Sequence, residues 1–406
     1  MNCRFAIFKI SALNPFMARG ILAKRIYTVE EARRRAKQRL PKMMFDFVDG
    51  AAGDESLKKI NTEEIDDVRL MPRVLINVAE RDLSTKIFDQ KMGLPFGIAP
   101  MGMCALTWPK ADYYMARAAA QRQIPLCVST ASSTTLETII ENAEGYAWFQ
   151  LYADQSAEFA DELIDRAIAA RYPALILTVD VPIPSIRTRD LRNGFTYPLK
   201  WGVKQILDFT THPCWSFFTL LNCATNGLPS TMNYTTSKKG TKFVRGASRG
   251  RADWDFLKTL RDRWQGPLIV KGVQCVEDAL QIKALGADAI YVSNHGGRQL
   301  NSAPPSIFSL KQIRKAVGSS MPLIFDGGIR NGEQVIKALA LGADFVMLGR
   351  SVMYGIGANG ASGLCDVLDI IENETSAVMG LLGHTNIGEI DETDLAETQR
   401  VLQEHG

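Results

Sequence analysis

Histidine is scarce in this chain, with four among 406 residues. Cysteine is thin too: seven residues at positions 3, 104, 127, 214, 223, 275 and 365, with no CxxC pair and no Cys/His cluster. A cysteine- or histidine-built metal site has no material, and the expectation is that none exists. An odd, dispersed set of cysteines reads as reduced thiols, several of them core residues. Charge of one sign is lacking as well. The net charge of +3 is too mild to argue for nucleic acid. No apolar run reaches the length of a membrane span. Acids are missing from one place, the stretch before Glu30, which carries Arg4, Lys9, Arg19, Lys24 and Arg25. That basic segment, residues 1–28, is set aside from the fold. It reads as a mitochondrial-type presequence, a disordered extension, or residues ahead of a start at Met17.

What is present is ordinary globular composition, 46% hydrophobic and 22% charged. From residue 94 onward, eight short β-rich apolar runs alternate with helix-compatible stretches: LPFGIAP (94–100), IPLCVST (124–130), YAWFQLY (146–152), ALILTVD (174–180), PLIVKG (267–272), AIYVSN (289–294), PLIFDGG (322–328) and FVMLGR (345–350). Two of the intervening helical patterns end in LGAD, where glycine suits a C-cap before the next strand. Strands alternating with helices predict a parallel sheet, and eight such units predict an α/β fold, the (β/α)8 barrel. Residues 29–60 read as a helical segment ahead of the barrel, with Thr28 and Glu31 at capping-box positions. The barrel domain is expected over 29–395, with 396–406 as a tail.

One connection breaks the spacing. Between TVD (178–180) and LIVKG (268–272) the chain carries a long insertion, 190–251, on the face where barrels place their active sites. Its stretch 209–237 contains no Lys, Arg, Asp or Glu but many apolar residues. It is flanked by Lys200, Lys204, Lys238, Lys239, Lys242, Arg245, Arg249 and Arg251. An apolar patch between basic flanks fits an anionic membrane interface; a lid packed on its own barrel, or a subunit contact, is the other reading.

Chemistry in a barrel belongs at strand C-termini. The polar residues there are Ser129, Gln150, Tyr152, Thr178, Asp180, Lys271, Ser293, His295, Arg298, Asp326, Arg330 and Arg350. DGGIR (326–330) and LGR (348–350) follow strands seven and eight, the common phosphate site of barrels, where Arg330 and Arg350 add forked donors. Ser129, Gln150, Thr178 and Lys271 offer donors and acceptors to a flat heteroaromatic ring, and Lys271 can stabilise negative charge developing on it. His295 can take a proton near neutral pH, and Asp180 can orient it. Arg298 and Arg187 can hold a carboxylate bidentately.

SNHGGRQL (293–300), with LPKM (40–43), WFQLY (148–152), LTVD (177–180), VKG (270–272), DGGIR, KALALGAD and LGR in order, resembles the FMN-dependent (S)-2-hydroxy-acid oxidase/dehydrogenase family over residues 28–395. The resemblance implies FMN as cofactor and a 2-hydroxy acid as substrate. It makes His295 the base and Asp180 its partner, and Arg187 and Arg298 the carboxylate ligands. Tyr152 bonds to the substrate hydroxyl or the developing anion. Pro100, Met101 and Gly102 back the flavin; Ser129, Gln150, Thr178, Lys271 and Ser293 contact its ring; Asp326, Gly328, Arg330, Gly349 and Arg350 hold the ribityl chain and phosphate. It further implies a homotetramer.

Residues 197–216 are similar to the membrane-docking loop of the lactate and mandelate dehydrogenases of this family. Gly102 and Ala131 stand where glycolate oxidase has larger residues, so the pocket is expected to admit larger substrates. Phe47 replaces the family's usual carboxylate-binding tyrosine, which removes a bond worth roughly 1.5–3 kcal/mol. Met101 replaces the usual threonine.

The expectation is therefore a dehydrogenase of L-lactate- or mandelate-like acids that passes electrons to a membrane quinone or cytochrome, peripheral on the cytoplasmic face of the inner membrane. A mitochondrial location follows instead if residues 1–28 are a presequence. The alternatives are an O2-using oxidase that makes hydrogen peroxide and a low-turnover, membrane-docked flavin protein.

Overall fold

The computed structural model describes residues 25–153, 156–197, 202–226, 229–239, 243–244 and 249–396. Most of the 1–28 extension and of the 396–406 tail lies outside them, as do the insertion's Lys200, Lys242 and Arg245. Ile26, inside the stretch set aside as an extension, is fully buried, and its N–H donates to Asp366 Oδ2 at 3.1 Å.

Eight parallel strands close into a barrel: β1 (Phe96–Met101), β2 (Leu126–Ser129), β3 (Ala147–Tyr152), β4 (Leu175–Thr178), β5 (Leu268–Val273), β6 (Ala289–Val292), β7 (Leu323–Phe325) and β8 (Phe345–Leu348), each paired with its successor and β8 with β1. Each coincides with an apolar run read from the sequence, β1 and β5 ending one residue past theirs. Alternate residues point inward, as a pleated strand requires. Trp148, Ile176, Ile269, Tyr291, Ile324 and Phe345 fill the lumen, while Phe149, Leu151, Leu177 and Val270 pack outward against the helices. An antiparallel hairpin, Thr85–Ile87 with Gln90–Met92, plugs the N-terminal mouth through Ile87, Met92 and Phe88, whose ring meets Trp148 at 5.8 Å. The lower lumen is thus solid, and a cavity can open only at the other end. The two LGAD glycines, Gly286 and Gly342, have φ of +80° and +99°, a conformation glycine adopts without Cβ strain.

The helical segment ahead of the barrel divides into α1 (Val29–Arg39), α2 (Lys42–Asp49) and α3 (Ser56–Asp66). The first break has a local cause. Leu40 precedes Pro41, and the proline ring forces it to an extended conformation (φ −82°, ψ 140°). Thr28 caps α1 by accepting from the Glu31 N–H at 3.0 Å. Charge then fixes α2 in place. The buried Asp49 carboxylate accepts from Arg33 Nε (2.8 Å), Arg189 Nη1 (2.7 Å) and Tyr354 Oη (2.7 Å). Burial pushes Asp49 up, but Arg33, Lys58 and Arg189 hold it well below the usual carboxylate range.

The insertion forms further helices, among them α4 (Val203–Thr210) and α5 (Pro213–Asn226). Asp208 of α4 accepts from the N–H groups of Lys42 and Met43 at 2.9 and 3.0 Å, so it caps α2 from outside. Trp215 of α5 is buried and donates from Nε1 to the Leu106 carbonyl at 3.1 Å. The opposite faces are bare. Val203, Ile206 and Leu207 on α4, and Phe217, Phe218 and Leu221 on α5, are all more than half exposed. No helix among the described residues is long and apolar enough to cross a membrane.

Candidate active site

A cavity of about 600 Å³ opens at the C-terminal mouth of the barrel. Strand register builds its floor. Ser129 pairs with Gln150 across β2–β3, Tyr152 with Thr178 across β3–β4, and Thr178 with Lys271 across β4–β5. Pro100, Met101 and Gly102 line it from the end of β1, and Asp326, Gly328, Arg330, Gly349 and Arg350 from the ends of β7 and β8. Phe47 of α2, Tyr152, Arg187, His295 and Arg298 complete the lining with Ser129 and Lys271. Asp180, Gln150, Thr178 and Ser293 lie behind that wall.

His295 sits in a 3-10 turn after β6, with φ of +57°. Its Nδ1 faces both carboxylate oxygens of Asp180, at 2.9 and 3.1 Å. Donation from Nδ1–H to Asp180 fixes the tautomer and leaves Nε2 as the basic nitrogen. Burial lowers the His295 pKa, Asp180 opposes this, and the net direction is below the usual imidazole value. The ring is therefore neutral, and able to accept a proton, at neutral pH. Burial alone would raise Asp180, but His295 and Lys271 more than offset it and keep the carboxylate ionised.

Lys271 is 3% exposed. Its Nζ donates to Ser293 Oγ at 3.0 Å and lies 3.7 Å from Asp180 and 3.9 Å from Asp326. Burial disfavours the ammonium, yet the two carboxylates outweigh that and raise its pKa, so the charge persists. Ser293 Oγ donates in turn to Asp326 Oδ1 at 2.5 Å, and Tyr291 Oη to Asp326 Oδ2 at 2.8 Å. Tyr152 stays protonated, because burial raises its pKa further than Arg249 and Lys271 lower it.

Three buried polar atoms in this floor have no hydrogen-bond partner among the described residues: both amide atoms of Gln150 and Thr178 Oγ1. Orphaned groups of this kind cost free energy until something pairs with them. A donor, an acceptor and a hydroxyl beside a fixed ammonium match the edge of a flat ring bearing N–H and C=O groups. At the other side, a Cβ on Gly349 would meet only Ala99 Cβ, at 4.0 Å, so the glycine leaves open space at the N-terminus of the helix Arg350–Leu381. An anion is stabilised there. The residues present fit a flavin mononucleotide.

The two arginines expected at opposite ends of the cavity share a role in the fold. Arg298 donates to the carbonyls of Gly50 (2.7 Å) and Phe47 (3.0 Å), and Arg350 to those of Gly50 (2.8 Å) and Gly296 (2.9 Å). Both tie the carbonyl end of α2 to the barrel. Burial lowers the Arg350 pKa to about 10, which leaves it charged. Arg187 Nε reaches Ser185 Oγ at 3.4 Å. Phe47 stacks on Phe195 at 4.7 Å, with Arg298 5.6 Å above its ring.

Several lining residues were not marked as site residues by the sequence. Phe195, Tyr197, Phe243 and Arg249 all come from the insertion. Arg249, read only as a basic flank, lies 4.7 Å over the Tyr152 ring.

Residues 36–397 match the family described as FMN-dependent dehydrogenase. The chain belongs to that family. It is an FMN-dependent oxidoreductase acting on CH–OH donors. (S)-Mandelate dehydrogenase of Pseudomonas putida is 35% identical over 371 residues, covering 90% of this chain and 93% of the relative. L-Lactate dehydrogenase of Pseudomonas syringae pv. syringae (strain B728a) is 35% identical over 376 residues, covering 92% and 99%. Among solved structures, the monotopic membrane protein (S)-mandelate dehydrogenase superposes with a TM-score of 0.85 at 34% identity, covering 92% of this chain and all of that one. Mandelate oxidase bound to (S)-4-hydroxymandelic acid superposes at 0.77 with 31% identity, covering 91% and 98%.

Proposed function

We propose that the protein oxidises an (S)-2-hydroxy acid larger than glycolate to its 2-oxo acid and passes the electrons to a membrane quinone or cytochrome. The His295–Asp180 pair carries this reading. A neutral imidazole, oriented by an ionised carboxylate and facing the cavity, is a general base with no structural duty of its own. FMN, when bound, supplies the two-electron redox chemistry. Nε2 of His295 takes the substrate proton, and Asp180 stabilises the imidazolium. Arg298 and Arg187 orient the carboxylate, and Tyr152 holds the hydroxyl oxygen. Lys271, with Ser129, Gln150, Thr178 and Ser293, sets the cofactor ring; Asp326, Gly328, Arg330, Gly349 and Arg350 hold its phosphate end; Pro100, Met101 and Gly102 back it.

Gly102 and Ala131 line the cavity and leave room where a larger side chain fits, which supports lactate- to mandelate-like substrates over glycolate. The exposed apolar faces of α4 and α5 support peripheral attachment to a membrane, which we place at its cytoplasmic face. The exposed run Met71, Val74, Leu75 and Ile76 would serve association into a homotetramer.

Anaerobic addition of lactate, mandelate and longer (S)-2-hydroxy acids should bleach the flavin, and a quinone analogue should restore its colour. Rapid, stoichiometric hydrogen peroxide in air would replace the dehydrogenase by an oxidase. Failure of every hydroxy acid to bleach the flavin would remove the reading altogether.

A further inference from the structure

Arg249 has an environment that the reaction as described does not use. Its side chain lies in the wall of the catalytic cavity yet is only 8% exposed. Two aromatic rings meet its guanidinium, Tyr152 at 4.7 Å and Phe243 at 5.7 Å. Its backbone N–H is held by the Pro182 carbonyl at 3.0 Å. Its Nε is buried without a hydrogen-bond partner, and no ion pair to it occurs among the described residues. Arg298 and Arg350, in the same wall, behave differently: each already donates to backbone carbonyls. Stacking on rings satisfies the face of a guanidinium and leaves its in-plane donors unmet. A buried, unpaired cation is costly, so this geometry favours an anion arriving from the cavity.

The reacting end of a 2-hydroxy acid already has its cations in Arg187 and Arg298. The lining that the insertion and α2 add to this cavity is largely apolar, with Phe47, Phe195, Phe243 and Val244. A ligand that meets all of this has one carboxylate beside its hydroxyl, a short apolar spacer, and a second carboxylate at Arg249. We infer that the substrate is an (S)-2-hydroxy diacid and that Arg249 is the residue that selects it. This rests on the hydroxy-acid reading above and narrows it. It also gives Phe47 a context: with a second carboxylate anchored by a forked donor, the first no longer needs a tyrosine hydroxyl.

The test uses the holoenzyme under anaerobic conditions. It compares flavin bleaching by (S)-malate and (S)-2-hydroxyglutarate with that by their monoacid counterparts, (S)-2-hydroxybutyrate and (S)-2-hydroxyvalerate. At least one diacid should half-saturate about tenfold or more below its monoacid, the size of one charge-assisted hydrogen bond. Arg249→Gln should collapse that ratio, and Arg249→Lys should keep part of it. Binding of glutarate, followed by its perturbation of the flavin absorbance without turnover, should weaken by a similar factor in Arg249→Gln. Retained flavin content in the variants shows that they are folded. A wild-type ratio near one, or equal losses for both acids in Arg249→Gln, overturns the inference and leaves the hydroxy-acid reading standing. No bleaching by any 2-hydroxy acid overturns both.

Discussion

At the barrel rim, Lys271 is buried and ringed by Ser293, Asp180 and Asp326, and Asp180 in turn holds His295. On the insertion, Val203, Phe217 and Leu221 stand more than half exposed, while Asp208, Gln205 and Trp215 anchor the inner faces of α4 and α5. The rim is fixed by strand register, so its polar groups meet at set positions with little freedom left. The insertion is fixed by side chains such as Asn233, which bonds Leu136, Thr130 and Ser132, and it keeps an exposed apolar surface. Chemistry resides on the part that cannot move. On the proposed reading, choice of substrate and place of work reside on the part attached to it.

The largest way to test that division is His295→Ala. Removing the base should lower the rate of flavin reduction by about 10²–10⁴-fold with flavin retained; normal reduction kinetics in a stopped-flow trace would refute the role. Asp180→Asn should also slow reduction and shift its pH profile in a defined direction. Asp180 raises the His295 pKa against burial. Its neutralisation should therefore move the acid limb of kcat/KM, already below the ordinary imidazole value, to still lower pH. An acid limb that moves upward would show that Asp180 does not act on the imidazole.

On the other side, changing Phe217, Phe218 and Leu221 together to serine removes roughly 1.5–3 kcal/mol of apolar transfer per side chain. Binding to anionic vesicles in a flotation assay should fall by about 10³-fold while reduction by a soluble substrate is kept. Loss of both together would mean that the two regions are not separable.

Phe47→Tyr tests the boundary between them. A hydroxyl restored to the carboxylate site should lower the substrate dissociation constant by about tenfold or more. No change in that constant would place the ring edge against Phe195 instead. Gly102→Ala should have the smallest effect. Its Cβ would meet Ala131 Cβ at 3.1 Å and the Ala131 carbonyl oxygen at 3.2 Å. Overpacking of this kind costs about 1–3 kcal/mol, visible as a lower melting temperature and slower flavin reduction.

The rim was legible in the sequence and most of the insertion was not, for a physical reason. Barrel strands are short apolar runs whose ends carry the functional groups, so locating LTVD or SNHGG also locates Asp180 or His295 in space. The insertion has no such rule. Arg249 reaches Tyr152 only because the chain folds back on itself, and nothing in its neighbours' spacing encodes that return. The same holds for Phe195 and Phe243. The helical segment expected before the barrel breaks first at Pro41, a signal present in LPKM. The donors of Arg298 and Arg350 on the carbonyls of Phe47 and Gly50 could not be read, because residue type does not say which backbone oxygen a guanidinium will find.

His295 sits at a φ of +57°, in the left-handed region that a side chain with a Cβ enters at a cost of roughly 1–2 kcal/mol. The protein therefore carries a standing debt of stability at the residue proposed as its base. A chain selected only for heat resistance would place glycine or asparagine at position 295 and lose the reaction. The imidazole persists there at the expense of the fold, which sets activity and robustness in opposition at a single backbone angle.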